Sequence, residues 1–211
     1  MSLFTIAPDT IKPTALLLNL FVAGVSFFYY YKAGYFNKKL FFYVAIASIP
    51  MAFIGGIIEL DPYIYKRILG IFLILSVLKI LNVFGKEKKT KRKIILWQCL
   101  LIGGSIGFIS GLIGIGGGII LSPIILLLHW GNMKEAAAVS AIFIWVNSLA
   151  GLLGQFSQGV TLDNHAFIMV LLVLMGAIAG SYLGSKKMSV KHIQYVLASV
   201  LVMASLKLFL F

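Results

Sequence analysis

The chain has 211 residues, of which 61% are hydrophobic and 11% charged, with a mean hydropathy of +1.03 and a formal net charge of +12. Soluble globular domains average roughly 45–50% apolar and about 25% charged residues, so that class is excluded. A nucleic-acid binder is excluded too: despite a pI of 9.8, the basic residues sit in short clusters between long apolar runs instead of along one face.

What remains is an all-α integral membrane protein. Its single cysteine, Cys99, permits no intrachain disulfide and no zinc or iron–sulfur ligand set. That cysteine says nothing of redox compartment, and no cofactor is expected.

A helix needs roughly 20 apolar residues to cross a hydrocarbon core of about 30 Å. Runs near that length fall at 13–31, 40–58, 63–84, 94–113, 136–154, 165–183 and 193–211. The first follows a stretch with one Lys and one Asp, shows no small-residue cleavage pattern and ends in Tyr29, Tyr30 and Tyr31. It therefore reads as a retained span with an interfacial aromatic belt, not as a signal peptide. The apolar segment 119–130 is only 12 residues long. At about 1.5 Å per residue it reaches a little over half the core.

Lys32, Lys38 and Lys39 fill the first loop, and Lys86, Lys88, Lys89, Lys91, Arg92 and Lys93 fill the third. Short basic loops stay in the cytoplasm. This sets both loops inside, the turn bearing Glu59, Asp61, Lys66 and Arg67 outside, and the N-terminus outside, in a multi-pass protein of the cell membrane. If 94–130 crossed once as a single kinked helix, Lys134, Lys186, Lys187 and Lys191 would fall outside and the charge bias would nearly vanish. If the chain goes out on 94–113 and returns on 119–130, all four fall inside, so the charges favour a broken, hairpin-like element.

The halves resemble each other at an offset of about 125–128 residues. Thr14 pairs with Ser140, Ile54-Gly55-Gly56 with Ala179-Gly180-Ser181, and Leu78-Lys79-Ile80-Leu81 with Leu206-Lys207-Leu208-Phe209. The expected organisation is a first repeat over 1–85 with three helices, a basic loop at 86–93, and a second repeat over 94–211 of inverted topology. Inverted repeats mark secondary transporters, which bind substrate between the repeats and often use discontinuous helices.

Glycines dominate 103–118. Gly103, Gly107 and Gly111 lie four apart on one helix face, as do Gly176, Gly180 and Gly184, and both sets are expected to let another helix approach closely. Gly114, Gly116, Gly117 and Gly118 are too dense for a helix, since each costs roughly 1 kcal/mol relative to alanine. Unwinding there leaves the first-turn N–H groups of the next half-helix, from Ile119, at the positive end of its dipole. An anion suits such an end. Ser122 adds a hydroxyl, and Pro123 is expected in the first turn, where its missing N–H costs nothing. No Gly-Lys-Ser/Thr follows the glycines and no strand pattern accompanies them, so this is not a nucleotide loop.

Gly111-Leu112-Ile113-Gly114-Ile115-Gly116-Gly117-Gly118, then Pro123, Ser140 and Asn147-Ser148-Leu149-Ala150-Gly151-Leu152-Leu153-Gly154, resembles the second-repeat signature of the TauE/SafE family, the sulfite exporters. The resemblance covers most of the chain. It implies a permease moving sulfite, sulfonates or related small organic anions, usually outward. Family members carry the glycine hairpin in both repeats, whereas nothing ahead of Thr14 resembles the first. Three readings stay open: a truncated start, a homo-oligomer that completes the site, or another use of the half-site.

Lys79 and Lys207 lie near span ends, where they can snorkel to the headgroups. His129, beside Trp130, suits an interfacial belt, and His165 and His192 sit in loops. Glu59, Asp61, Glu135 and Asp163 flank spans, so no carboxylate lies mid-span; coupling would fall to a co-transported acid or to His129. Thr14, Asn19, Ser140 and Asn147 supply neutral donors, with substrate contact and interhelical bonding both open for the last two and Asn19 unassigned.

The leading expectation is a secondary transporter exporting a small anion, held by the backbone at Gly114, Gly116, Gly117, Gly118 and Ile119 with Ser122, Ser140 and Asn147. The alternative is a non-transporting membrane scaffold or accessory subunit. The expected partners are the anion and the lipid bilayer, with no nucleic acid. No His-Glu-Xaa-Xaa-His, Gly-Xaa-Ser-Xaa-Gly or paired intramembrane Asp speaks for an enzyme.

Overall fold

The computed structural model describes residues 8–58, 92–160 and 166–189, with 191–193, 195–196, 198–200 and 202–203 beyond them. The expected span 63–84, Lys79, Lys207, His165, most of the basic loop and most of the closing run lie outside the described residues.

Helix α1, Pro8–Lys32, begins five residues before the expected start. Proline suits the first position of a helix, and the helix continues through Pro13, which is buried. Helix α2, Lys38–Ile57, is capped by Asn37, whose side chain accepts the Leu40 N–H at 3.1 Å. Helix α3, Leu96–Ile113, ends at Gly114 in the left-handed conformation, and the Gly114 N–H donates to the Ser110 carbonyl at 2.7 Å. After the break comes the ten-residue α4, Gly118–Leu127. Helix α5, Met133–Phe156, starts ahead of the expected Ala136 because Asn132 and Glu135 form a capping box. Helix α6, Ala166–Tyr182, runs into a π-helical turn, Leu183–Lys187.

Among the described residues, five helices are long and apolar enough to cross a membrane, and α4 is not one of them. α4 turns the chain back toward the start of α3. The Arg92 N–H, just ahead of α3, donates to the carbonyl of His129, just past α4, at 2.9 Å, and a β-carbon on Gly117 would lie 2.9 Å from Ile106 and 3.2 Å from Ser110. The expected hairpin is therefore present.

Small residues let α2 and α3 meet backbone to backbone. A β-carbon on Gly103, Gly107 or Gly111 would collide with the carbonyls of Val44, Ser48 or Ala52, and one on Gly55 with that of Phe108. Below this seam Leu40, Val44, Cys99, Ile106, Leu121, Ile125 and Phe143 join α2, α3, α4 and α5 in one core. The outer faces remain apolar, as with Trp97 and Leu101 on α3 and Leu171, Leu172 and Met175 on α6, which suits contact with lipid tails.

Several expectations need correction. Gly176 and Gly180 have no described atom within 4 Å of a built β-carbon, so of that glycine set only Gly184, beside the Tyr30 hydroxyl, makes a close approach. Trp130 is 2% exposed and belongs to the core instead of an interfacial belt, because the chain turns at His129 (φ +58°) and points the indole inward. Tyr30 is likewise buried, at 8% exposure, between exposed or half-exposed neighbours. Pro123 stands sixth in α4, past the first turn, so it cannot donate to the Ile119 carbonyl.

Candidate functional site

A cavity of about 340 Å³ lies between α1, α4 and α5. Its polar lining comes from three elements: Asn19, Ser26 and Tyr30 on α1, the first residues Gly118 and Ile119 together with Ser122 on α4, and Ser140 on α5. Val22, Ala23, Pro123, Leu126, Met133, Ala137, Ala141 and Ile144 complete the wall, and among the described residues no charged side chain lines it.

Helical periodicity explains the α1 face. Asn19, Val22, Ala23, Ser26 and Tyr30 recur every three to four residues, which places them on one stripe. On α5, Met133, Ala137, Ser140, Ala141 and Ile144 do the same. The two stripes face each other across α4, whose N-terminal end forms part of the wall.

The Ser122 hydroxyl donates to that of Ser140 at 2.7 Å, and the Ser26 and Ser181 hydroxyls meet at 2.8 Å, which brings α6 to the cavity's back. Asn19 Nδ2 approaches the Gly114 carbonyl at 3.5 Å, the long limit of a hydrogen bond, and ties α1 to the helix break. The Gly117 carbonyl accepts the N–H groups of Ile120 at 3.1 Å and Leu121 at 3.0 Å, closing the first turn of α4. The positive end of that helix's dipole therefore sits at the cavity wall.

Of the residues expected from sequence, Gly118, Ile119, Ser122 and Ser140 come together on this cavity. Gly114, Gly116, Gly117 and Asn147 stand behind it. All three of those glycines have φ between +70° and +77°, which explains why glycine is needed there. Each faces protein: β-carbons would come within 2.9 Å of Lys12 Cγ at Gly114, 2.6 Å of Ile144 Cγ2 and 2.8 Å of Ser148 Oγ at Gly116, and 2.9 Å of Ile106 and Phe143 at Gly117.

Asn147 is fully buried. Its Oδ1 accepts from Ser48 Oγ at 2.6 Å, which bonds α5 to α2, and its Nδ2 donates to the Phe143 carbonyl at 3.0 Å. Thr14 is also fully buried, away from the wall, and Thr14 Oγ1 has no partner among the described residues. His129 lies at the far end of α4, outside the wall.

Sequence reasoning missed Ser26 and Tyr30 and left Asn19 unassigned. Their signal was available, since the three polar residues share one face of an otherwise apolar helix. No group of three or more His, Cys, Asp or Glu able to hold a metal occurs among the described residues.

Residues 1–208 match the family described as sulfite exporter TauE/SafE. A probable membrane transporter protein of Sinorhizobium fredii, y4hK, is 31% identical over 99% of this chain and 86% of its own length. Probable membrane transporter protein MJ0441 of Methanocaldococcus jannaschii is 30% identical over 92% of this chain and 78% of its own length. Probable membrane transporter protein YjnA of Bacillus subtilis is 29% identical, covering 82% of this chain and 74% of the relative. No solved structure matches.

Proposed function

The chain belongs to the sulfite exporter TauE/SafE family, whose members are membrane transporters and not enzymes, and from that premise we propose that it exports a small anion through the cavity between α1, α4 and α5. The substrate class is sulfite, a sulfonate or a related organic acid, and the basic loops face the cytoplasm of a cell-membrane protein.

One observation carries this reading. The cavity combines the N-terminal end of a half-helix with serine hydroxyls, a tyrosine hydroxyl and an amide, and among the described residues its wall has no carboxylate. A buried anion requires donors and positive potential, which such an arrangement supplies without a fixed cation that would trap the substrate. A cation would meet the wrong end of the dipole and no compensating charge. The volume fits a ligand of a few heavy atoms with part of its hydration. Ser122, Ser140, Gly118 and Ile119 are the residues assigned to substrate contact, with Asn19, Ser26 and Tyr30 on the opposite wall.

Purified full-length protein in liposomes should move radiolabelled sulfite with saturable kinetics, and methanesulfonate should compete. Absence of saturable flux for sulfite, methanesulfonate and acetate alike would overturn the proposal and favour a non-transporting scaffold.

A further inference from the structure

We propose that Lys134 receives the anion at one end of the cavity, and that its bonds to Tyr35 and Ser185 form a latch which the arriving anion exchanges. This rests on the reading that the cavity carries an anion.

Lys134 occupies the first turn of α5, next to Met133 and three and seven residues before Ala137 and Ala141, all of which line the cavity. It thus prolongs the lining stripe toward the helix start. Its Nζ donates to the Ser185 carbonyl at 3.1 Å and to the Tyr35 hydroxyl at 3.4 Å, and lies 5.0 Å from the centre of the Tyr35 ring. Every one of these partners is neutral. Among the described residues no carboxylate pairs with Lys134, and the adjacent Glu135 side chain accepts the Asn132 N–H at 2.9 Å in the capping box.

The partners come from two further elements that meet beside a cavity residue. Tyr35 sits on the α1–α2 loop, and its N–H donates to the carbonyl of Tyr30, a cavity residue, at 3.2 Å. Ser185 lies in the π-helical turn, where the Met188 N–H reaches the Leu183 carbonyl at 2.8 Å. The same turn lies against Tyr30, since a β-carbon on Gly184 would lie 2.9 Å from the Tyr30 hydroxyl. Lys134 therefore draws α5, the α1–α2 loop and the end of α6 together beside Tyr30. Single π-turns within helices recur at functional sites.

A cation held only by neutral acceptors is primed for exchange. A carboxylate, sulfite or sulfonate oxygen brings a full negative charge to the ammonium, an attraction that the neutral carbonyl and phenol do not offer. It outcompetes Ser185 and Tyr35, and losing both bonds frees the π-turn and the loop. The exposed Lys186 and Lys187, 5.5 and 5.7 Å from the Tyr182 ring, raise the positive potential at this end and draw anions toward it.

The test combines calorimetric titration of sodium sulfite into the full-length chain in nanodiscs, which is independent of membrane orientation, with sulfite flux in liposomes. Lys134→Gln should weaken sulfite binding about 10-fold and flatten its dependence on ionic strength, as expected when one charge-assisted contact is lost. Lys134→Arg should stay within about 3-fold of the unmodified chain, because the charge is kept. Tyr35→Phe removes one latch acceptor and should raise the maximal flux about 2-fold, the small effect of one neutral hydrogen bond.

Unimpaired binding and flux in Lys134→Gln, or equal damage in Lys134→Arg, overturns the anion-receiving role. Unchanged flux in Tyr35→Phe overturns the latch and remains readable if Lys134→Gln fails to fold. An unmodified chain that neither binds nor moves sulfite defeats the proposed function itself, whereas one that does both while Lys134→Gln matches it defeats only this inference.

Discussion

The two limbs of the glycine hairpin use the same residue for opposite ends. On α3, Gly103, Gly107 and Gly111 have ordinary helical backbone, and glycine is needed because the carbonyls of α2 occupy the space a side chain would take. In the break, Gly114, Gly116 and Gly117 adopt positive φ, so glycine is needed there for backbone freedom as well as for space. The first limb is a rigid seam. The second lets a membrane-buried chain turn, so that a ten-residue helix starts inside the protein with its positive end on a cavity. Density of glycine alone does not separate these uses; spacing does, four apart in the seam and clustered in the break.

The largest effect is expected where the seam is overpacked. Gly107→Leu would drive a branched side chain into the carbonyl and hydroxyl of Ser48. Overpacking costs typically 1–3 kcal/mol where neighbours can move, and here the neighbour is backbone, so a loss of at least about 3 kcal/mol is expected. Thermal unfolding monitored by circular dichroism should show a much lower midpoint or no folded protein. A Gly107→Leu chain as stable as the unmodified one would show that α2 and α3 are not held in contact.

The hairpin was legible in the sequence because two unrelated signals met there, the short apolar run and the cytoplasmic side expected of the basic residues Lys134, Lys186, Lys187 and Lys191. Its packing was less so. Asn132 and Glu135 spell a capping box, but a search for apolar runs begins at Ala136 and passes over them. The glycines at 176 and 180 share the spacing of the α3 set, yet no described residue approaches them, since spacing defines a face and not what covers it.

At the cavity, Ser122 and Ser140 were legible from their place after the break, whereas Asn19, Ser26 and Tyr30 were not. They are separated from the glycines by about 90 residues of sequence, and only tertiary packing brings α1 against α4.

A middle-sized effect should come from Asn147, on the packed side of the same hairpin. Asn147→Ala removes the acceptor of the buried Ser48 hydroxyl and leaves that donor without its partner, which costs about 1–3 kcal/mol. Because Asn147 stands behind the cavity wall, the KM for sulfite should stay within about 2-fold in whatever protein remains folded, a change expected of a residue outside the site. A large rise in KM at unchanged stability would move the site from the cavity to the helix break and erase the contrast between the two sides.

The smallest change in stability, and the sharpest in function, belongs to the serine pair. The Ser122 and Ser140 hydroxyls bond each other at 2.7 Å on the cavity surface, so each already has a partner when no anion is bound. Ser140→Ala removes one member. The loss is about 1 kcal/mol or less, the net worth of a typical neutral hydrogen bond, because the Ser122 hydroxyl can turn into the cavity. An anion bound there loses one donor, and transport should register it as a 3- to 10-fold rise in the KM for sulfite, about 1 kcal/mol of binding. Ser122→Ala should act alike, and the double variant should lose little more than either single one, since the two hydroxyls act as a unit. Fully additive losses would instead mean that each serine contacts the substrate independently and that their mutual bond opens on binding, which is the signature that would place the substrate between α4 and α5.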